Sequence, residues 1–217
     1  MPVFAKHPNV DYCSPDDGGQ RSRTVSEIVV TGRVELGPLP ARMLADWERE
    51  TRENLELDIG DVEVMPLARA RSRWPDFRLC LAEAGRWIES QGLVADLLDE
   101  APLALMVCRG ARYHHDGEQY AGAAFFNVFV SDDAGLDLHF AATGHRIPLE
   151  RGTAVIFATC QPHAVIPRHR SGFDAADFLA GADWHQYFLT WELPVENEAL
   201  ARLLKIGFAH YPGPLQP

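Results

Sequence analysis

The sequence predicts a mainly β protein with added helices: a helical N-terminal cover on a C-terminal jelly roll. Three observations support this fold class. Helical periodicity is confined to the first hundred residues. From Leu103 onward, short apolar segments recur at close intervals, and turn residues separate them at Asp116-Gly117, Asp132-Asp133-Ala134-Gly135, Thr143-Gly144 and Arg151-Gly152. Many short strands with such punctuation predict a sandwich, jelly roll or barrel.

The elements follow in chain order. Residues 1–25 are rich in Pro, Asp, Gly and Ser and are expected to be a flexible segment, leaving residues 26–217 as one domain with its roll at about 103–193. Residues 26–31 read as a strand. Met43, Leu44 and Trp47 give a helix over 41–54, and alternation of apolar and acidic residues gives a strand within 55–65. Phe77, Leu81, Ala84 and Ile88 form one stripe of a helix over 75–91, with Pro75 near its start and Gly92 at its end. A short helix spans 93–100. The strands follow at 103–108, 113–116, 123–131, 136–140, 145–149, 154–157, 163–167 and 184–192, with the helices packed on one outer face. The last strand is expected beside the one carrying His163.

The 217 residues carry 20 Lys and Arg against 31 Asp and Glu, a formal charge of −11. Nucleic acid and anionic membranes both demand a basic face, so neither is an expected partner. No apolar run approaches the roughly 20 residues of a membrane span. The four cysteines, Cys13, Cys80, Cys108 and Cys160, show no CxxC spacing. They read as reduced core thiols, and the expected location is cytoplasmic.

Two segments carry the chemistry. In an extended strand, residues two apart share a face, so His114 and Asp116 of Tyr113-His114-His115-Asp116-Gly117 project together while His115 points away. His163, after 46 intervening residues, would complete two imidazoles and one carboxylate. Such a set occupies one face of an octahedral ion and leaves the opposite face open, as in non-haem Fe(II) oxygenases. Asn127 is a polar residue within the apolar run Phe125-Phe126-Asn127-Val128-Phe129. It is either a satisfied core residue or a group facing a ligand in the barrel mouth. Tyr113 and Tyr120 flank the motif as packing or pocket residues.

His114-x-Asp116, the stretch Leu149–Phe157, Pro162 and His163-Ala164-Val165 together resemble the Fe(II)/2-oxoglutarate-dependent dioxygenase superfamily, over about residues 103–193. The resemblance implies a double-stranded β-helix and a metal triad of His114, Asp116 and His163. It also implies Fe(II) and 2-oxoglutarate as cofactors, and hydroxylation of a small-molecule or amino-acid side-chain substrate with dioxygen. Family members place a basic residue, often an Arg about ten positions past the distal His, on the far carboxylate of 2-oxoglutarate. Here that position is Phe173, and Arg168 and Arg170 are the nearest candidates, with Arg109, Arg112 and Arg146 on other segments. They lie in or beside the long segment 168–183, which is either a lid over the cosubstrate or a surface excursion with a short helix at 174–179. Two other readings of the roll stand beside this one. One is a cupin-like metal enzyme without a 2-oxo acid, using His115 or His185 as an added ligand; the other is a metal-free binding module. The sequence leaves the oligomeric state and the primary substrate open.

Overall fold

The computed structural model describes residues 11–16, 19–24, 26–55, 57–179 and 184–212. The strands β1 (Asp11–Asp16) and β2 (Gly19–Thr24) pair as a hairpin within the stretch expected to be a flexible segment. Next come β3 (Val29–Arg33), α1 (Ala41–Asn54), β4 (Val62–Met65), α2 (Leu67–Arg73), α3 (Phe77–Ser90) and α4 (Asp96–Glu100). Eight strands follow: β5 (Leu103–Arg109), β6 (Ala111–His114), β7 (Ala123–Phe129), β8 (Leu136–Phe140), β9 (His145–Pro148), β10 (Thr153–Ala158), β11 (His163–Pro167) and β12 (His185–Pro194). The helix α5 (Glu198–Leu204) and β13 (Phe208–Pro212) close the described chain, and β13 joins β2 in a small third sheet.

The eight strands form a jelly roll. One sheet has the order β3-β10-β7-β12-β5-β4, and the facing sheet has the order β6-β11-β8-β9. Within the roll, the first strand pairs with the eighth, the eighth with the third and the third with the sixth. Opposite them, the second pairs with the seventh, the seventh with the fourth and the fourth with the fifth. All these pairings are antiparallel. The chain crosses from one sheet to the other after almost every strand. This corrects the expected neighbour of β12, which lies between β7 and β5 while β11 lies in the facing sheet.

Alternation sorts the side chains into two cores. Phe126, Val128, Leu189 and Trp191 face outward from the six-stranded sheet and pack with Met43 and Trp47 of α1 and with Phe77, Ala84, Trp87 and Ile88 of α3. Phe129, Val155, Phe157 and Phe188 face the other way and meet Leu136, Leu138, Phe140 and Val165 inside the roll. The helices therefore cover one outer face, as the apolar stripes predict. Two helices escape the sequence reading. Both α2 and α5 are seven residues long, too short to show a full apolar stripe. The 55–65 segment yields only the four-residue β4.

Trp87 stacks on Phe126 with centroids 5.1 Å apart, and its indole fills the space above Gly32 of β3. A Cβ at Gly32 would sit 2.2 Å from the Trp87 Nε1. Gly32→Ala should therefore cost about 1–3 kcal/mol by overpacking. Gly122→Ala, where nothing lies within 4 Å of the added carbon, should be nearly neutral. Urea unfolding of both variants checks the seating of α3 on the sheet.

Candidate metal centre

The strands β6 and β11 bring the triad together. His163 pairs with His114, and Val165 pairs with Ala111, so two steps on β11 match three on β6. The extra residue is a β-bulge, which re-aims side chains near sites of this kind. Ala111 joins the roll interior, Tyr113 turns outward against His139, and His114 turns back inward. The loop beyond β6 is pinned by the Asp116 N–H, which donates to the Thr159 carbonyl at 2.8 Å. Thr159 in turn donates its hydroxyl toward the carbonyls of Tyr120 and Ala123.

The ligand atoms of His114, Asp116 and His163 all lie within 4.8 Å of one another. The Nε2 of His114 is 3.8 Å from Asp116 Oδ1, and the Nε2 of His163 is 3.7 Å from Oδ2. Those spacings are too long for hydrogen bonds. Two atoms each about 2.1 Å from one ion sit at most about 4.2 Å apart, so both spacings fit one coordination sphere. The far side of each imidazole faces a backbone carbonyl: His114 Nδ1 lies 2.7 Å from the Arg112 oxygen and His163 Nδ1 lies 2.9 Å from the Gln161 oxygen. A carbonyl can only accept, so each Nδ1 carries the proton and each Nε2 presents a lone pair toward Asp116. Asp116 Oδ2 is buried with no hydrogen-bond partner. An orphaned carboxylate oxygen between two imidazole lone pairs is costly without a cation, and this donor set suits Fe(II), Mn(II), Ni(II) or Zn(II).

Electrostatics point the same way. Burial pushes the His163 pKa down to about 3, and neighbouring His114 adds to the effect while the Gln161 carbonyl works against it. Burial raises the Asp116 carboxyl, with His114 and His115 lowering it. The rings of His114 and His163 lie 4.4 Å apart, and Phe157 packs edge-on at 4.8 Å from His163.

Other histidines stay outside the triad. The Nδ1 of His115 accepts from the Gly117 N–H. His185 and Arg109 line a cleft of about 430 Å³ with Glu48, Thr51 and Arg52, on the helical side of the six-stranded sheet. Tyr120 packs edge-on against Phe125, 5.0 Å between centroids.

Asn127 faces the roll interior from β7, flanked on β12 by Thr190 and on β10 by Val155. Gln186, Thr190 and Glu192 share the inward face of β12, and none was singled out from sequence. Their period-two spacing around inward-facing Phe188 is the signal that could have found them.

Arg168 and Arg170 lie at the opposite end of the roll. Arg168 is about 16 Å from His163 along the strand direction. Its guanidinium binds Asp133 and Asp137. Arg170 binds Asp177. The segment they occupy packs there as well. Phe178 is fully buried, stacks on Phe173 at 5.5 Å and fills the space over Gly110. Of the two readings of this segment, a lid or an excursion with a short helix at 174–179, the described part shows the short turn, a 3-10 helix at Ala175–Phe178, and it packs at the floor of the roll while the triad sits at its mouth. The rings of Phe173, Phe178 and Trp184 hold it there, which a segment with two arginines does not advertise.

Among solved structures, the chain is similar to a Pseudomonas putida prolyl-4-hydroxylase, with 17% identity and a TM-score of 0.42 over 76% of this chain and 92% of that one. It is similar to the viral collagen prolyl hydroxylase of Paramecium Bursaria Chlorella virus-1 in its 2OG complex, with 12% identity and a TM-score of 0.42 over 75% and 94%. It is also similar to an oxidoreductase of the 2OG-Fe(II) oxygenase family from Burkholderia pseudomallei, with 10% identity and a TM-score of 0.30 over 87% and 74%. No family model matches the sequence, and no curated protein matches it.

The neutral, buried His163 has a measurable consequence. Between its ordinary value of 6.5 and about 3, the unfolded chain binds a proton at this residue that the folded chain refuses. Stability of the metal-free protein should therefore fall as pH drops through that window. The raised Asp116 carboxyl works in the opposite direction, and it does so in the wild type and in His163→Gln alike. Urea midpoints at about pH 7 and about pH 5 should differ more in the wild type than in His163→Gln. Equal losses in both would contradict a neutral His163.

Proposed function

We propose that the protein is a non-haem Fe(II)/2-oxoglutarate-dependent oxygenase that hydroxylates a small molecule or an amino-acid side chain. The observation that carries this reading is the convergence of two imidazole Nε2 atoms and one orphaned carboxylate oxygen at the mouth of a jelly roll. Fe(II) held there supplies the dioxygen chemistry, with the 2-oxo acid as co-reductant.

The chain's own residues do the rest. His114, Asp116 and His163 would hold the ion with two neutral imidazoles and one carboxylate, a set of low net charge. The carbonyls of Arg112 and Gln161 fix the tautomer and orientation of both imidazoles. Phe125, Phe140 and Phe157 wall the site with apolar surface and exclude water from its inner side. Tyr120, between the electrostatic influence of Glu192 and Asp116, presents a phenol at the rim, where a substrate would enter.

Aerobic conversion of 2-oxoglutarate to succinate should require added Fe(II). It should disappear in His163→Ala and in the more exposed His114→Ala, with far-UV circular dichroism confirming that each variant folds. Turnover that persists in both folded variants would refute the reading.

A further inference from the structure

Directly below the triad the interior of the roll carries a polar layer, and none of the described residues facing it is a cation. Asn127 and Thr190 stand opposite each other on β7 and β12, each 6% exposed. Asn127 Oδ1 and Thr190 Oγ1 are both buried without a hydrogen-bond partner. Such orphans are rare and costly in a folded protein, and they call for a partner that arrives later. They lie two residues deeper than Phe125 and Glu192, the pair at the level of the mouth, so roughly 7 Å further into the roll. A five-carbon chain spans about 5 Å between its end carbons at ordinary bond lengths. A 2-oxo acid with its head on the triad's ion therefore reaches this layer with its tail.

The described arginines around the roll are all engaged elsewhere. Arg109 donates to the Phe178 carbonyl from the helical side of the sheet. Arg112 pairs with Asp61, Arg146 with Asp137 and Arg151 with Asp132. Arg168 and Arg170 are held by aspartates at the floor. The inward positions of β5, β7, β10 and β12 carry Met106, Cys108, Phe129, Val155, Phe188 and their neighbours, none of them basic.

Resting on the oxygenase reading above, we infer that the tail of the 2-oxo acid is held by the neutral groups of Asn127 and Thr190 instead of by a guanidinium or ammonium. A carboxylate tail can accept from the Thr190 hydroxyl and from the Asn127 Nδ2, whereas a carboxamide or hydroxyl tail can also donate to Oδ1 or Oγ1, so neither kind of tail is excluded. A cation would favour the charged tail strongly. The site therefore accepts 2-oxo acids by length and hydrogen-bonding capacity, with little regard to tail charge. Asn127 and Thr190 act as positioning residues for that tail.

Calorimetric titration of Mn(II)-loaded protein tests this without turnover. Mn(II) is titrated first, then 2-oxoglutarate, its uncharged 5-amide 2-oxoglutaramate, and the short-tailed 2-oxobutyrate. Wild type should bind 2-oxoglutarate and the amide within about tenfold of each other. The shape-matched variants Asn127→Leu and Thr190→Val should each weaken both ligands by about tenfold, the worth of one neutral hydrogen bond, and leave 2-oxobutyrate unchanged. Without a 2-oxo acid, both variants should be as stable as wild type or more so, because each removes an orphaned polar atom. A purely structural role would make them less stable. A preference for 2-oxoglutarate over its amide of about a hundredfold or more would overturn the inference by revealing a cation. Unchanged affinities in both variants, or Mn(II) binding without any 2-oxo acid binding, would overturn it too. Failure to bind Mn(II) at all would instead fell the oxygenase reading on which it rests.

Discussion

The pairing of β6 with β11 is the constraint on which the rest of the site depends. His114 and His163 are 49 positions apart in the chain but directly opposite in this ladder. Backbone hydrogen bonding alone therefore sets the spacing of the two imidazoles, and the bulge between Ala111 and His114 turns His114 into the roll. Asp116 follows two residues later, tied by its own N–H to the end of β10. A chain that lost this register by one residue would turn His163 to the outer face and dissolve the triad, since strand side chains alternate.

The two cores make that register rigid. Outside the six-stranded sheet, Trp87, Phe126 and Trp191 form a stack with centroid spacings of 5.1 Å and 5.1 Å, which clamps α3 to β7 and β12. Inside the roll, Phe129 and Phe188 pack at 5.0 Å across the β7–β12 ladder, and Phe140 of β8 meets Phe157 of β10 at 5.2 Å, which ties the facing sheets together. Asn127 and Thr190 thus form a polar layer between the triad and the aromatic floor. Its position between the triad and the aromatic floor is what gives those two residues chemical meaning. Burial also removes two of the cysteines from the chemistry: the thiols of Cys80 and Cys108 are pushed up to about 12 by desolvation.

Much of the roll was legible because Gly and Asp turns separate its strands. The extents of β8 and β11 agree with the alternating apolar runs, and α1 and α3 with their apolar stripes. Histidine and aspartate two apart before a turn, and a second histidine opening a later strand, pointed to the residues that the ladder brings together. Partnership between strands was not legible. Pairing of β12 with β5 and β7 is set by the winding of the whole chain, which no local pattern records. The sequence left the 168–183 segment open between two readings for a related reason. Its arginines have suitable chemistry, but Asp133, Asp137 and Asp177 neutralise them, and Phe173 and Phe178 anchor the segment at the wrong end of the roll. Thr190 was missed because one hydroxyl in an apolar strand looks unremarkable until its neighbour across the ladder is known to be Asn127.

The central claim is that three side chains, positioned by one strand pairing, share an ion. Anomalous diffraction from crystals of the Mn(II)-loaded protein tests it most directly. The account predicts a single strong peak bounded by Nε2 of His114, Nε2 of His163 and a carboxylate oxygen of Asp116, at about 2.0–2.2 Å from each, as is usual for such ligands. A peak ligated by other residues, or no peak between these three in crystals that hold Mn(II), would contradict it.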